Sequence, residues 1–128
     1  MSRILIVEDE KQVRVLAESC LRKDGHQTLS AATMEQALAV LDVADGIELL
    51  FVDVGLYEDH NIGLDLAQQA VMRKPDLKVL YTTGQTVTDG LKALLVEGSA
   101  LLLKPYTVDQ LQTILAVNFG IKPAPSSD

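Results

Sequence analysis

The chain has 128 residues, a formal net charge of −7 at neutral pH and a single cysteine, Cys20. This length suits one compact domain and is too short for two, and the acidic balance argues against direct binding of nucleic acid, which needs a basic face. A lone cysteine excludes an intramolecular disulfide, and we see neither a signal-peptide pattern nor an apolar stretch of about 20 residues that could span a membrane. We therefore expect a cytoplasmic protein.

Short apolar runs alternate with segments of helical spacing along most of the chain. The predicted strands cover residues 4–7, 27–31, 47–54, 77–82 and 100–103, and the second is polar enough for the edge of a sheet. The predicted helices cover residues 10–23, 33–43, 63–74, 87–97 and 108–118, with Thr33 as the cap of the second helix. Strict alternation of this kind predicts one α/β domain with a doubly wound parallel sheet.

Most of the predicted strands end in charged or hydroxyl side chains. Glu8 and Asp9 follow the first strand, Asp53 ends the third, Thr83 lies just past the fourth, and Lys104 follows the fifth. In a doubly wound sheet these ends lie at one edge, where ligand sites form. Clustered carboxylates repel one another unless a cation lies between them, and oxygen ligands suit Mg²⁺, while a lysine can bind a phosphoryl oxygen. The alternative is that each residue only caps a helix or ends a strand in solvent.

Four segments resemble the receiver domain of bacterial two-component response regulators, in the order and at the separations of that family. They are residues 4–10, 50–53, 79–84 and 102–106. The resemblance is to stand-alone, single-domain receivers. It implies a (βα)5 flavodoxin-like fold, with a five-stranded parallel sheet in the order 2-1-3-4-5, over residues 1–121. A disordered tail is expected over residues 122–128, which contain two prolines and two serines.

The resemblance also implies a magnesium site at the acidic cluster. Asp9 and Asp53 would bind Mg²⁺ directly, together with the backbone carbonyl of Gly55, and Glu8 would act through a water molecule. Mg²⁺ typically keeps several waters and takes one or two carboxylates together with phosphate oxygens. The family pattern and the ligand chemistry therefore agree on the metal.

By the same resemblance, Asp53 would be the phosphoacceptor, Lys104 would bind the phosphoryl group, and Thr83 would be the switch hydroxyl that follows it. A carboxylate can attack a phosphohistidine and form an acyl phosphate, and positioning and electrostatics supply most of the catalysis of such transfers. A cis peptide at Pro105 would aim the lysine inward. The resemblance thus implies a protein that accepts phosphate from a sensor histidine kinase and signals by protein contact. We expect no DNA-binding output domain and no enzymatic turnover.

Two departures from the family pattern affect the switch and the loop after Asp53. The family usually has an aromatic residue three positions before the lysine, where this chain has Leu101. The coupling between Asp53 and the face formed by the last two helices and the last strand must therefore work without an aromatic side chain at this position. Tyr57 replaces a usual proline, and residues 58–61 lengthen the loop, as in receivers associated with hybrid sensor kinases. We expect His60 in this loop to be solvated, and not a metal ligand or phosphate carrier.

Three alternative functions are considered. A phosphate shuttle or sink would pass phosphate between a kinase and a histidine phosphotransfer protein, or lose it by hydrolysis. A phosphatase of the haloacid dehalogenase type would need an acid two positions after Asp53, where this chain has Gly55. A degenerate receiver that is never phosphorylated is the third, although all the principal site residues are present.

The C-terminal end is unusually apolar for the last helix of a domain and the segment that follows it. Phe119 and Ile121 lie beyond the predicted helix end. Exposed apolar groups often mark an interface, and two-fold dimers are the commonest oligomers. We therefore expect a homodimer that uses the last helix together with these two side chains.

Overall fold

The computed structural model describes residues 2–55, 60–84 and 87–124, with the backbone alone at residues 60 and 61. The strands are β1 (Arg3–Val7), β2 (Gln27–Ala31), β3 (Leu49–Asp53), β4 (Lys78–Thr83) and β5 (Ala100–Leu103). The helices are α1 (Lys11–Lys23), α2 (Met34–Val43), α3 (His60–Arg73), α4 (Asp89–Ala93) and α5 (Val108–Phe119). Strands and helices alternate as predicted, although several boundaries differ by one to three residues and α4 is much shorter.

The five strands form one parallel sheet in the order β2-β1-β3-β4-β5. This arrangement confirms the predicted order and the edge position of β2. Because β1 and β3 are direct neighbours and run the same way, their carboxyl ends bring Glu8 and Asp53 to one edge of the sheet. The topology alone therefore places these two carboxylates together.

Two aliphatic layers cover the two faces of the sheet. Ile6 and Phe51 pack with residues of α1 and α5 on one face, while Val52 and Tyr81 pack with residues of α2 and α3 on the other. Every residue of β3 is buried, as a continuous apolar run predicts for a strand covered on both sides. The position of Asp53 is therefore fixed by the best-packed strand of the domain.

Threonine side chains begin three of the helices. Thr33, Thr88 and Thr107 each accept a hydrogen bond from the backbone N–H three residues later. This confirms the predicted cap at Thr33. Thr107 forms a full capping box, because the side chain of Gln110 also accepts a hydrogen bond from the Thr107 backbone N–H.

Helix α4 covers Asp89–Ala93, whereas the sequence predicted a helix over residues 87–97. The backbone N–H of Val96 does not continue the helix, because it donates to the hydroxyl of Tyr81 at 3.0 Å. Leu94 and Leu95 instead form short turns, their N–H groups donating to carbonyls three residues earlier. The helix therefore ends before Val96, whose N–H takes a tertiary partner from the core.

The C-terminal end of α5 differs from the prediction. Phe119 is the last residue of the helix, and Gly120 follows with a left-handed φ of +67°. The turn lets the N–H of Ile121 donate to the carbonyl of Leu115 at 3.0 Å. Phe119 and Ile121 are consequently buried in the domain's own core, 7% and 4% exposed. The prediction that these two side chains face a second copy of the chain is wrong.

Both ends of the described chain contact the turn between α1 and β2. The backbone N–H of Ser2 donates to Nδ1 of His26 at 3.3 Å, and the N–H of Ala124 donates to the carbonyl of Asp24 at 2.6 Å. Gly25, in the same turn, has a φ of +93°, and a Cβ atom there would collide with the Cβ of Ala124. This turn lies at the amino ends of the strands, opposite the edge that carries Asp53.

Candidate functional site

The carboxyl ends of β1 and β3 bring three acidic side chains together. Glu8 and Asp9 follow β1 directly, and Asp53 is the last residue of β3. One oxygen from each of these carboxylates lies within 4.8 Å of the others. Glu8 and Asp53 are buried, 3% and 5% exposed. Burial of neighbouring carboxylates is unfavourable unless positive charge lies beside them.

Lys104 supplies positive charge to this cluster. Its Nζ donates to Oε1 of Glu8 at 2.6 Å and to Oδ2 of Asp53 at 3.0 Å. The lysine follows β5, and its backbone N–H donates to the carbonyl of Thr83 at 2.8 Å. This hydrogen bond holds the carboxyl end of β5 against β4. The peptide bond between Lys104 and Pro105 is cis, one of the two forms that the sequence left open. Four of the predicted site residues therefore meet at this edge of the sheet, namely Glu8, Asp9, Asp53 and Lys104.

Neighbouring backbone groups orient the carboxylates. The N–H of Gly55 donates to Oδ1 of Asp53 at 2.9 Å, and the N–H of Glu10 donates to Oε2 of Glu8 at 3.3 Å. Nη1 of Arg14 donates to the backbone carbonyl of Glu8 at 2.8 Å. The contributions of Glu10 and Arg14 were not predicted, because they depend on how the first turn of α1 lies over the end of β1.

The local electrostatics favour a proton or a cation at Glu8. Burial raises the pKa of the Glu8 carboxyl to about 7, the Lys104 hydrogen bond opposes this rise, and Asp53 and Asp9 add to it. For Lys104, burial acts to lower the pKa, but hydrogen bonds to Glu8 and Asp53 and their negative charges outweigh it, so the pKa is raised. Lys104 is therefore a permanent cation at neutral pH, whereas the acidic side still has negative charge to be balanced.

The donor set fits a divalent cation. Glu8, Asp9 and Asp53 offer only carboxylate oxygens, and hard cations such as Mg²⁺ prefer oxygen ligands. Gly55, the residue predicted to add a backbone carbonyl, is held beside Asp53 by its own N–H. These residues could hold Mg²⁺ at the edge of the site.

The two threonines at the end of β4 have different positions. Thr83, the predicted switch hydroxyl, is the last residue of β4 and is 1% exposed. Thr82 pairs in register with Asp53, and its carbonyl accepts a hydrogen bond from the N–H of Val54 at 2.9 Å. Among the residues that the structure describes, Oγ1 of Thr82 is the one buried side-chain polar atom without a hydrogen-bond partner. The sequence reasoning missed Thr82, although the pair of adjacent threonines was visible.

Leu101 occupies the position at which the sequence comparison expected an aromatic residue. Its register partner on β4 is Tyr81, which is completely buried and is held by the hydrogen bond from Val96 described above. An aromatic side chain is thus present at this level of the sheet, but on the neighbouring strand. Tyr57 and residues 58–59 lie outside the described residues, as does the side chain of His60.

An apolar cavity of about 600 Å³ opens beside the acidic cluster. Helix α1 and the segment after β5 form its walls, with Leu16, Cys20, Tyr106 and Val108 among the lining residues. Lys104 also lines the cavity. A chemically reactive group at Asp53 would therefore have an apolar surface next to it on which another molecule could dock.

The comparisons with known proteins agree on one family. Residues 4–116 match the family model of the response regulator receiver domain. The alginate biosynthesis transcriptional regulatory protein AlgB of Pseudomonas aeruginosa is 30% identical over 121 residues, which are 94% of this chain and 26% of AlgB. The chain thus spans about a quarter of the length of that curated relative.

Solved structures show the same fold. NtrX from Brucella abortus matches with a TM-score of 0.81 and 25% identity over 94% of this chain and 27% of the NtrX chain. A CheY-like receiver domain protein from Methanospirillum hungatei JF-1 matches with a TM-score of 0.78 and 24% identity, over 92% of this chain and 94% of its own. No helix in the described part of the chain has both the length and the apolar character needed to cross a membrane.

Proposed function

The chain belongs to the response regulator receiver domain family, and on that basis we propose that Asp53 accepts a phosphoryl group from the phosphohistidine of a sensor kinase. The modified domain then signals by contact with another protein. The observation that carries this proposal is the position of Lys104, whose ammonium group touches both Glu8 and Asp53. A cation in this position can bind an oxygen of a phosphoryl group attached to Asp53.

The transfer requires a nucleophile, charge neutralisation and a leaving group. A carboxylate oxygen of Asp53 attacks phosphorus, the new O–P bond forms as the N–P bond to the donor histidine breaks, and the histidine nitrogen keeps the electron pair. The Gly55 N–H holds the Asp53 carboxylate in place during the attack. Mg²⁺ held by Asp9, Asp53 and the Gly55 carbonyl, with Glu8 acting through a water molecule, would supply further positive charge to the phosphoryl oxygens. Lys104, which touches both Glu8 and Asp53, would add its own positive charge.

The apolar cavity beside the site is the surface that we assign to the phosphodonor protein. Leu16 on α1 lines it and is 71% exposed, and Val108 at the start of α5 is 55% exposed. A partner that covers these side chains would bury apolar area and bring its histidine close to Asp53. Both effects favour a protein donor, because remote binding energy can orient the reacting groups.

The face formed by α4, β5 and α5 is the surface that we assign to signal output. Phosphorylation adds negative charge at Asp53, directly beside the ends of β4 and β5, and Thr83 would follow the phosphoryl group. Leu94, Leu103 and Val117 are more than half exposed in this region. A change at the ends of β4 and β5 would alter how these apolar side chains are presented to an effector protein.

The test is intact mass spectrometry after incubation with acetyl phosphate and Mg²⁺. We expect the gain of one phosphoryl group in the wild type and in Asp65→Asn, which changes an exposed aspartate on α3. We expect no gain in Asp53→Asn or without Mg²⁺. Modification of Asp53→Asn would place the acceptor elsewhere. Failure of the wild type with both acetyl phosphate and a panel of phosphorylated histidine kinases would contradict the proposal.

A further inference from the structure

Thr82 is the starting point, because its buried hydroxyl has no partner among the described residues. The residue is 4% exposed and lies next to Asp53 in the sheet register. A valine would fill the same space without a polar atom. Burying a hydroxyl without a hydrogen bond is unfavourable by roughly 1–3 kcal/mol in proteins. An unpaired hydroxyl at this position therefore indicates a hydrogen-bond partner other than an atom of the described residues.

The Thr82 side chain lines a small cavity beneath the acidic cluster. The centre of a water molecule can occupy about 10 Å³ of this cavity. This volume is close to the minimum that a single water requires. Glu8 and Tyr106 supply the other polar side chains in its lining. The remaining lining residues are apolar, namely Ile6, Val7, Val13, Ala17 and Phe51. The space thus has room for one water and groups that could bind it.

The Glu8 carboxylate has hydrogen-bonding capacity left for such a water. Its Oε1 accepts from Lys104 and its Oε2 accepts from the N–H of Glu10. A carboxylate can accept about four hydrogen bonds in total. A water that donates to Glu8 can also accept from, or donate to, the hydroxyl of Thr82, which reaches the two partners that a buried water needs.

We propose that one buried water joins Oγ1 of Thr82 to the Glu8 carboxylate, and that Thr82 is thereby a positioning residue for Glu8. The water donates a hydrogen bond to the Glu8 carboxylate, which also accepts hydrogen bonds from Lys104 and from the Glu10 N–H. Thr82 does not touch the reacting atoms; it acts only through Glu8. The effect on metal binding rests on the proposed function, whereas the water and its effect on folding do not.

The first test is a crystal structure of the metal-free protein at a resolution that shows ordered water. We expect a water within hydrogen-bond distance of both Thr82 and Glu8 in the wild type and in Thr82→Ser. We expect none in Thr82→Val. A wild-type cavity without water would overturn the proposal.

The second test compares thermal unfolding and Mg²⁺ affinity in the same three proteins. Thr82→Val should lower the melting temperature and weaken Mg²⁺ binding roughly tenfold, as for partners that orient metal ligands, and Thr82→Ser should stay close to the wild type. A higher melting temperature or an unchanged Mg²⁺ affinity for Thr82→Val would also overturn the proposal. Lack of Mg²⁺ binding by the wild type would contradict the proposed function, and the crystal structures and melting temperatures would then decide the role of the water.

Discussion

The hydroxyl of Tyr81 accepts a hydrogen bond from the backbone N–H of Val96 at 3.0 Å, and the side chain of Tyr81 is completely buried. The bond joins the strand that ends beside Asp53 to the segment between α4 and β5. Burial raises the pKa of this phenol, so the hydroxyl stays neutral at physiological pH. It gives a partner to a backbone donor just past the C-terminal end of α4.

Tyr81→Phe removes this acceptor and leaves the Val96 N–H without it. We expect a loss of about 0.5–1.5 kcal/mol in the free energy of unfolding, because the bond is only partly buried and its removal costs the net contribution of one hydrogen bond. Urea denaturation measures the loss, and hydrogen exchange at Val96 should become faster in the variant. Unchanged stability together with unchanged exchange at Val96 would show that the bond contributes nothing.

Lys104→Met should destabilise the domain at neutral pH by roughly 1–3 kcal/mol, because Glu8 and Asp53 lose their shared charged partner. Added Mg²⁺ should raise the melting temperature of this variant more than that of the wild type, since the ion replaces missing positive charge. Lys92→Met, which changes an exposed lysine on α4, is the matched control and should behave as the wild type. An equal response of all three proteins to Mg²⁺ would mean that Lys104 and the ion do not share the site.

The raised pKa of Glu8 makes stability depend on pH. In the folded protein this pKa is about 7, against 4.5 for the unconstrained group, so between these values the folded state binds more protons than the unfolded state. The contribution of Glu8 to the free energy of unfolding is therefore greatest below pH 4.5 and falls as the pH rises to about 7, by about 1–3 kcal/mol in total.

Glu8→Gln isolates this contribution, because glutamine does not titrate. Urea denaturation between pH 4.5 and 7.5 should show the wild type losing stability relative to the variant as the pH rises. Parallel curves over that range would rule out a raised pKa at Glu8. Saturating Mg²⁺ should flatten the wild-type curve, since a bound cation favours the ionised carboxylate.

Gly25→Ala should be more destabilising than Gly98→Ala. Both glycines have left-handed φ values, +93° and +77°, so both substitutions should cost about 1–2 kcal/mol for the backbone conformation. A Cβ atom on residue 98 meets nothing within 4 Å, whereas one on residue 25 collides with Ala124. The double variant Gly25→Ala/Ala124→Gly should therefore recover most of the difference, measured by chemical denaturation. Equal losses for the two single variants would show that the C-terminal segment does not press on this turn in solution.

The convergence of Glu8, Asp53 and Lys104 could be predicted because it depends on topology alone. Alternation of strands and helices fixes a parallel sheet, and the polar residues that follow its strands must then share an edge. The buried, unpartnered hydroxyl of Thr82 could not be predicted, because it depends on which of two adjacent threonines faces the cavity. The burial of Phe119 depends on the turn at Gly120, and the hydrogen bond of the Val96 N–H on a hydroxyl from a distant strand. These features come from tertiary contacts that a local pattern does not contain.

The two ends of the described chain bind the same turn, through Ser2 with His26 and Ala124 with Asp24. A short glycine-rich linker could therefore join them into a ring without passing near the acidic cluster. New termini could then be opened in a surface loop at the same pole, for example beside Gly46, where an added Cβ would meet nothing within 4 Å. Such circular permutants would leave the edge that carries Asp53 intact, and would allow a fluorescent reporter to be placed at a chosen position around the domain.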